Sequence, residues 1–87
     1  MKRRIVFVDK SRDQLIQLSI DQPKLLKRVF ELIGNIDQTP FEGIGKPEPL
    51  KYKLKGKWSR RINDEHRIVY EVTNEEIIIY ACKFHYD

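Results

Sequence analysis

The 87-residue chain contains one cysteine, Cys82, two histidines and four glycines. A single cysteine excludes an intrachain disulfide framework and a structural zinc site built on paired cysteines, and a reducing compartment is the simpler setting. No long apolar stretch follows the basic start at Met1–Arg4: only Ile5–Val8 intervene before Asp9. That is far short of a secretory core or a membrane span, so the expectation is a soluble, cytoplasmic chain with no membrane partner. Internal repeats and linker-like segments are also missing. A chain this short supports one hydrophobic core, which predicts a single domain over residues 1–87 and places any function on its surface or edge.

Charge is plentiful but unevenly placed. Seventeen Lys and Arg stand against thirteen Asp and Glu, a net charge of +4. Between Gly43 and Arg61, seven basic residues (Lys46, Lys51, Lys53, Lys55, Lys57, Arg60, Arg61) face one acid, Glu48, a local balance of +6 that leaves −2 elsewhere. Such a segment suits an anionic partner, although lysines on an exposed strand also deter sheet-to-sheet aggregation.

Hydrophobic periodicity gives the elements. Ile5–Val8 is β-branched and aromatic and reads as a strand. Ser11 is a candidate N-cap for a helix in which Leu15, Ile16, Leu18 and Ser19 share a face. Pro23 restarts the chain, and Leu25, Leu26, Val29, Phe30, Leu32 and Ile33 predict an amphipathic helix from Pro23 to about Asn35. Three of four prolines and two of four glycines then fall in Thr39–Pro49, a loop. Leu50, Tyr52 and Leu54 alternate with Lys51, Lys53 and Lys55, the pattern of a strand with a cationic outer face. Further strands are expected over Trp58–Asn63, His66–Thr73 and Ile77–Phe84. The order β-α-α-β-β-β-β predicts an α+β domain, a mostly antiparallel sheet with both helices on one face.

Strand parity then sorts the polar residues. With Leu50, Tyr52 and Leu54 facing the helices, Lys51 faces away. With Trp58 and Ile62 inward, Arg61 faces away, and with Ile68, Tyr70 and Val72 inward so does Arg67. In the last strand Ile78, Tyr80, Cys82 and Phe84 take the inner face and Lys83 and His85 the outer, a parity that a one-residue bulge would reverse. Lys51, Arg61, Arg67 and His85 thus share the helix-free face. Metal-independent RNA cleavage requires a base for the 2′-hydroxyl, an acid for the 5′-oxygen leaving group and cations for the phosphorane-like transition state. Glu48, in Pro-Glu-Pro, is the candidate base and His85 the candidate acid. Arg61, Arg67 and Lys51 are candidate phosphate clamps, and Tyr86 a base-stacking residue. No metal or cofactor is called for.

Thr39–Lys51, Trp58-Ser-Arg-Arg-Ile62, Glu65-His-Arg-Ile-Val-Tyr70 and the ending His85-Tyr86 together resemble the YoeB toxins, a branch of the RelE-like superfamily of bacterial type II toxin–antitoxin systems. The resemblance spans nearly the whole chain. It implies a RelE-like fold and an mRNA endonuclease that cuts translated message in the A site of the 70S ribosome and is neutralised by a YefM-like antitoxin. It also implies that Glu48, Lys51, Arg61, Arg67, His85 and Tyr86 carry the family's active-site roles. From the charge pattern itself, Lys53, Lys55 and Lys83 are further candidate RNA-binding cations. A homodimer stays open. Asp87 departs from the family by extending past its terminal tyrosine.

Two other readings remain compatible with the residues alone: a non-catalytic ribosome- or RNA-binding module, and an interaction domain for an acidic partner. Among the remaining side chains, Arg60 has inner parity and is expected to pair with an acid or to contact the antitoxin. His66 is expected to serve a structural hydrogen bond, Cys82 to be a buried apolar residue, and Trp58 and Phe41 to pack.

Overall fold

The computed structural model describes residues 2–83. Strand β1 (Arg4–Phe7) leads into helices α1 (Ser11–Asp21) and α2 (Lys24–Gln38), and a loop then delivers four strands, β2 (Glu48–Pro49), β3 (Trp58–Arg61), β4 (Arg67–Val72) and β5 (Glu76–Ala81). These form one sheet in the order β1-β5-β4-β3-β2. All neighbours are antiparallel except β1 and β5, which run parallel. The α+β expectation therefore holds.

The core explains why both helices sit on the same face. Leu18 of α1 and Val29, Leu32, Ile33 and Ile36 of α2 recur at helical spacing and pack against Ile68, Tyr70, Ile77 and Ile79 of the sheet. Each of these side chains is fully buried. Helix α1 contributes less than its periodicity predicts, since Ile16 and Ile20 are exposed. Ser11 is not the cap that its position suggests: its hydroxyl donates to Val8 O at 2.7 Å, and the N-cap position belongs to Lys10.

Two strand expectations are corrected. Residues 50–54 do not form a strand, because Leu50 N–H donates to Lys57 O at 2.9 Å and closes β2 and β3 into a hairpin. The chain must reverse between these two residues, and it does so through a single 3₁₀ turn at Tyr52–Leu54, helped by Gly56 at φ +95°. Tyr52 accordingly faces solvent at 91% exposure rather than the helices, and Lys51, Lys53 and Lys55 crown the hairpin tip instead of lining a strand. The second correction concerns β5. Tyr70 stands opposite Ile79 but Val69 stands opposite Ala81, so Tyr80 is an extra residue in β5. Ile77 and Ile79, not Ile78 and Tyr80, therefore enter the core. The bulge then restores Cys82 to the inner side, the side that parity predicts for it.

The chain start is tied down through Asp37, near the end of α2. Its Oδ2 accepts Lys2 N–H at 2.8 Å and its Oδ1 accepts Arg3 N–H at 3.2 Å, while the Arg3 guanidinium reaches Asp37 O at 2.7 Å and Thr73 O at 2.8 Å. The Lys2 backbone hydrogen bond, with those from Arg3, holds the Asp37 carboxyl below its ordinary value of 3.8 against the opposing effect of burial. A lowered folded-state value means that Asp37 stabilises the fold fully above the unfolded value and loses that contribution as the pH falls through the folded one. Asp37→Asn is expected to lower the urea midpoint at pH 7, and the gap from the unmutated chain should close on acidification below pH 3.8.

Candidate functional site

The loop before β2 is built around a buried cation. Arg60, on the inner side of β3, is fully buried. Its Nε–H donates to Tyr70 Oη (3.1 Å), Nη1 to Asn35 Oδ1 (2.5 Å) and Ile44 O (3.2 Å), and Nη2 to Thr39 O (2.6 Å) and Glu42 O (2.9 Å). Five N–H donors thus meet five acceptors, none of them a carboxylate. The expectation of an acid partner or an antitoxin contact is corrected: Arg60 faces the protein's own loop. Tyr70 extends the network by donating to Pro40 O at 2.7 Å, and burial raises its hydroxyl pKa despite Arg60 beside it. Gly45 then crosses tightly over β3, where Arg61 N–H donates to its carbonyl at 2.6 Å. A Cβ there would lie 2.7 Å from Leu32 Cδ2 and 3.1 Å from Arg61 O, at φ +81°, so only glycine fits.

Past this crossing, Glu48 pairs with Ser59 and Pro49 with Trp58. Pro49 is compatible with an edge strand because it need not donate to a further neighbour. Directly paired residues share a face, so Glu48 lies on the side of Ser59, opposite that of Arg60. Arg61 is on the Ser59 side too, and it stands directly opposite Arg67 on β4. The sheet therefore brings together three predicted residues: exposed Glu48, exposed Arg61 and half-buried Arg67. Two arginines in direct cross-strand pairing concentrate positive charge at one point of the face, a setting that suits an anionic ligand.

Other predicted residues fall elsewhere. Lys51 is exposed at the base of the hairpin tip, with Lys53 and Lys55 beyond it. Lys83 lies beyond β5, beside Lys10, Asp13, Gln14 and Gln17. His85 and Tyr86, with Phe84 and Asp87, lie outside the described residues. His66 fits its structural reading: it is buried, with Nε2 at 3.2 Å from both Gln22 Nε2 and Glu65 Oε1. Cys82 is buried, which pushes its thiol up to about 11 and makes it a poor nucleophile. Phe41 and Trp58 pack with ring centroids 4.9 Å apart. Among the described residues no three His, Cys, Asp or Glu side chains converge to hold a metal ion, and no helix is long and apolar enough to cross a membrane.

Sequence reasoning misses one polar group on this face. Lys57, Glu71 and Tyr80 meet across β4, whereas parity turns Tyr80 inward. Only the bulge, which leaves no composition signal, could reveal it.

Comparison with known proteins bears on this arrangement. Residues 7–86 match the family model for the YoeB-like toxin of bacterial type II toxin-antitoxin systems. The chain is 45% identical over 83 residues to the toxin YoeB of Escherichia coli (strain K12), an alignment that covers 95% of this chain and 99% of the relative. It also superposes on the YoeB dimer from Staphylococcus aureus with a TM-score of 0.92 and 41% identity, over 99% of this chain and 100% of that one. The YoeB–YefM complex from the same organism gives a TM-score of 0.88 at 41% identity, with the same coverage.

The Arg60 network has a measurable weight. Arg60→Met would bury a similar length of side chain but strand the loop carbonyls and the Tyr70 hydroxyl. Denaturant titration should show a loss of about 3 kcal/mol or more.

Proposed function

The chain belongs to the family of YoeB-like toxins of bacterial type II toxin-antitoxin systems, and on that premise we propose that it is an mRNA endonuclease acting on translated message in the A site of the 70S ribosome. The observation that carries this reading is the Arg61–Arg67 pair beside Glu48 on one sheet face. A scissile phosphate between the two guanidiniums would gain bidentate contacts, and these would strengthen as charge builds in the transition state.

In this mechanism Glu48 takes the proton from the 2′-hydroxyl, and the resulting oxygen attacks the adjacent phosphorus. The bond to the 5′-oxygen breaks, and His85 protonates that leaving group. The products are a 2′,3′-cyclic phosphate and a 5′-hydroxyl. Arg61, Arg67 and Lys51 offset the developing charge, and Tyr86 stacks on a neighbouring base. Lys53, Lys55 and Lys83 add electrostatic attraction to RNA. No metal or other cofactor takes a step in this scheme. A small domain with an exposed face has little wall to enclose a substrate, and the ribosome would complete the surroundings.

A YefM-like antitoxin is the proposed neutralising partner, supported by the likeness to the toxin chain of the YoeB–YefM complex. The likeness to the YoeB dimer from Staphylococcus aureus supports self-association as a further property. A cytoplasmic location follows from a ribosomal substrate.

Ribosomes programmed with a short message provide the test. The unmutated chain should generate 3′ ends bearing a cyclic or linear phosphate. Glu48→Gln and Arg61→Met should each lower the cleavage rate by roughly 100-fold, with ribosome binding largely retained for Glu48→Gln. A chain that binds programmed ribosomes but leaves no such ends is a non-catalytic RNA-binding module, and the endonuclease reading fails.

A further inference from the structure

Glu48 has two cationic diagonal neighbours, not one. It pairs with Ser59, so the residues two positions either side of Ser59 on the same face, Lys57 and Arg61, are its diagonal neighbours, at roughly 7–8 Å. Arg61 belongs to the site already described. Lys57 is set in the hairpin by its carbonyl, which accepts Leu50 N–H at 2.9 Å. Its side chain does not turn to Glu48. The Nζ lies 4.4 Å from the centroid of the Tyr80 ring, on the far side of β4, and it makes no ion pair with a described carboxylate.

Tyr80 reaches this position only because it is the extra residue of the β5 bulge. Its hydroxyl donates to Glu71 Oε1 at 2.7 Å, and that hydrogen bond, with burial and the charges of Glu71 and Asp9, pushes its pKa up to about 12. The ring is therefore neutral and fixed at any working pH. A cation over such a face is attracted to the ring quadrupole while keeping its N–H donors for other acceptors. Continuing the Trp58–Tyr70 register by one residue also sets Lys57 opposite Glu71, so Glu71 anchors the ring on the strand that Lys57 crosses.

We propose that Lys57 is a further RNA-phosphate contact of the Glu48 face, and that Tyr80, fixed by Glu71, holds its ammonium across β4 so that it meets substrate instead of pairing with Glu48. The proposal rests on the RNA-cleavage reading above. The physical need for such a holder is clear. An ammonium released from the ring would have both Glu71 and Glu48 within reach, and a Glu48 carboxylate paired in this way is a weaker base. Held over Tyr80, Lys57 keeps its charge on the same face as Arg61 and Arg67 and widens the phosphate-binding track from β3 toward β5.

The test uses the full chain with programmed ribosomes, alongside equilibrium binding to a single-stranded RNA oligonucleotide carrying a 2′-deoxy residue at the scissile position. Lys57→Ala should raise KM about tenfold, the loss of one charge-assisted contact, with kcat within about twofold. The log–log salt dependence of oligonucleotide binding should become shallower by roughly 0.7. Tyr80→Phe keeps the ring but loses the Glu71 anchor, and its kcat should fall between that of the unmutated chain and that of Tyr80→Leu. Tyr80→Leu frees the ammonium and should lower kcat about tenfold, and adding Lys57→Ala to Tyr80→Leu should restore it. Unchanged KM and salt slope in Lys57→Ala would overturn the phosphate contact while cleavage by the unmutated chain preserved the nuclease reading. A kcat loss in Tyr80→Leu that Lys57→Ala does not reverse would overturn the holding role. If the unmutated chain cleaves nothing, the nuclease reading fails and the holding role fails with it, while the salt slope still decides the phosphate contact.

Discussion

A buried guanidinium without a carboxylate partner is the constraint on which this small domain turns. Arg60 is fully buried and cannot reach water, so its five N–H groups must each find an acceptor inside the fold. Backbone carbonyls of the loop supply three, and Asn35 and Tyr70 supply the others. A loop rich in proline and glycine, which would otherwise sample many conformations, is thereby wrapped around one point on β3. Tyr70, itself tied to Pro40, and Gly45, in close contact with Leu32, leave the loop little latitude.

Neighbouring residues on β3 turn that anchor into a site. Arg60 points inward and fixes the loop; Arg61 points outward and meets Arg67. Because the loop ends in the β2–β3 pairing, the same strand that anchors it also receives Glu48 opposite Ser59. Carboxylate and guanidiniums are consequently referred to one rigid strand rather than to separate flexible segments. Chemistry that depends on geometry within about an ångström benefits from this arrangement. The stability of the interior and the poise of the exposed face are coupled through two adjacent arginines.

Much of the fold is legible in the order of residues alone. Helix α2 shows in its apolar period, and β3 and β4 in the even spacing that sets Trp58, Ile62, Ile68 and Tyr70 on one side. The face shared by Arg61 and Arg67 follows from that spacing, whereas Glu48 joins it only through its pairing with Ser59. Illegible features have a common origin: they depend on what lies opposite. Leu50, Tyr52 and Leu54 alternate like a strand, but Leu50 already closes the hairpin with Lys57, so the residues between have to turn. Tyr80 has the parity of a core residue until an unequal pairing with β4 adds a bulge. Parity gives Arg60 the right face but not its partners, since main-chain carbonyls carry no signature in a sequence.

The sequence by itself therefore determined the class of fold, the inward and outward sides of β3 and β4, and the concentration of positive charge around Glu48, because periodicity and charge are local properties of the chain. Tertiary structure alone decided which carbonyls surround Arg60, where β5 slips by a residue, and that Lys57 rests on Tyr80 rather than beside Glu48. Those outcomes are set by contacts between residues 10 to 25 positions apart, and only closure of the sheet and burial of its core bring such residues within reach.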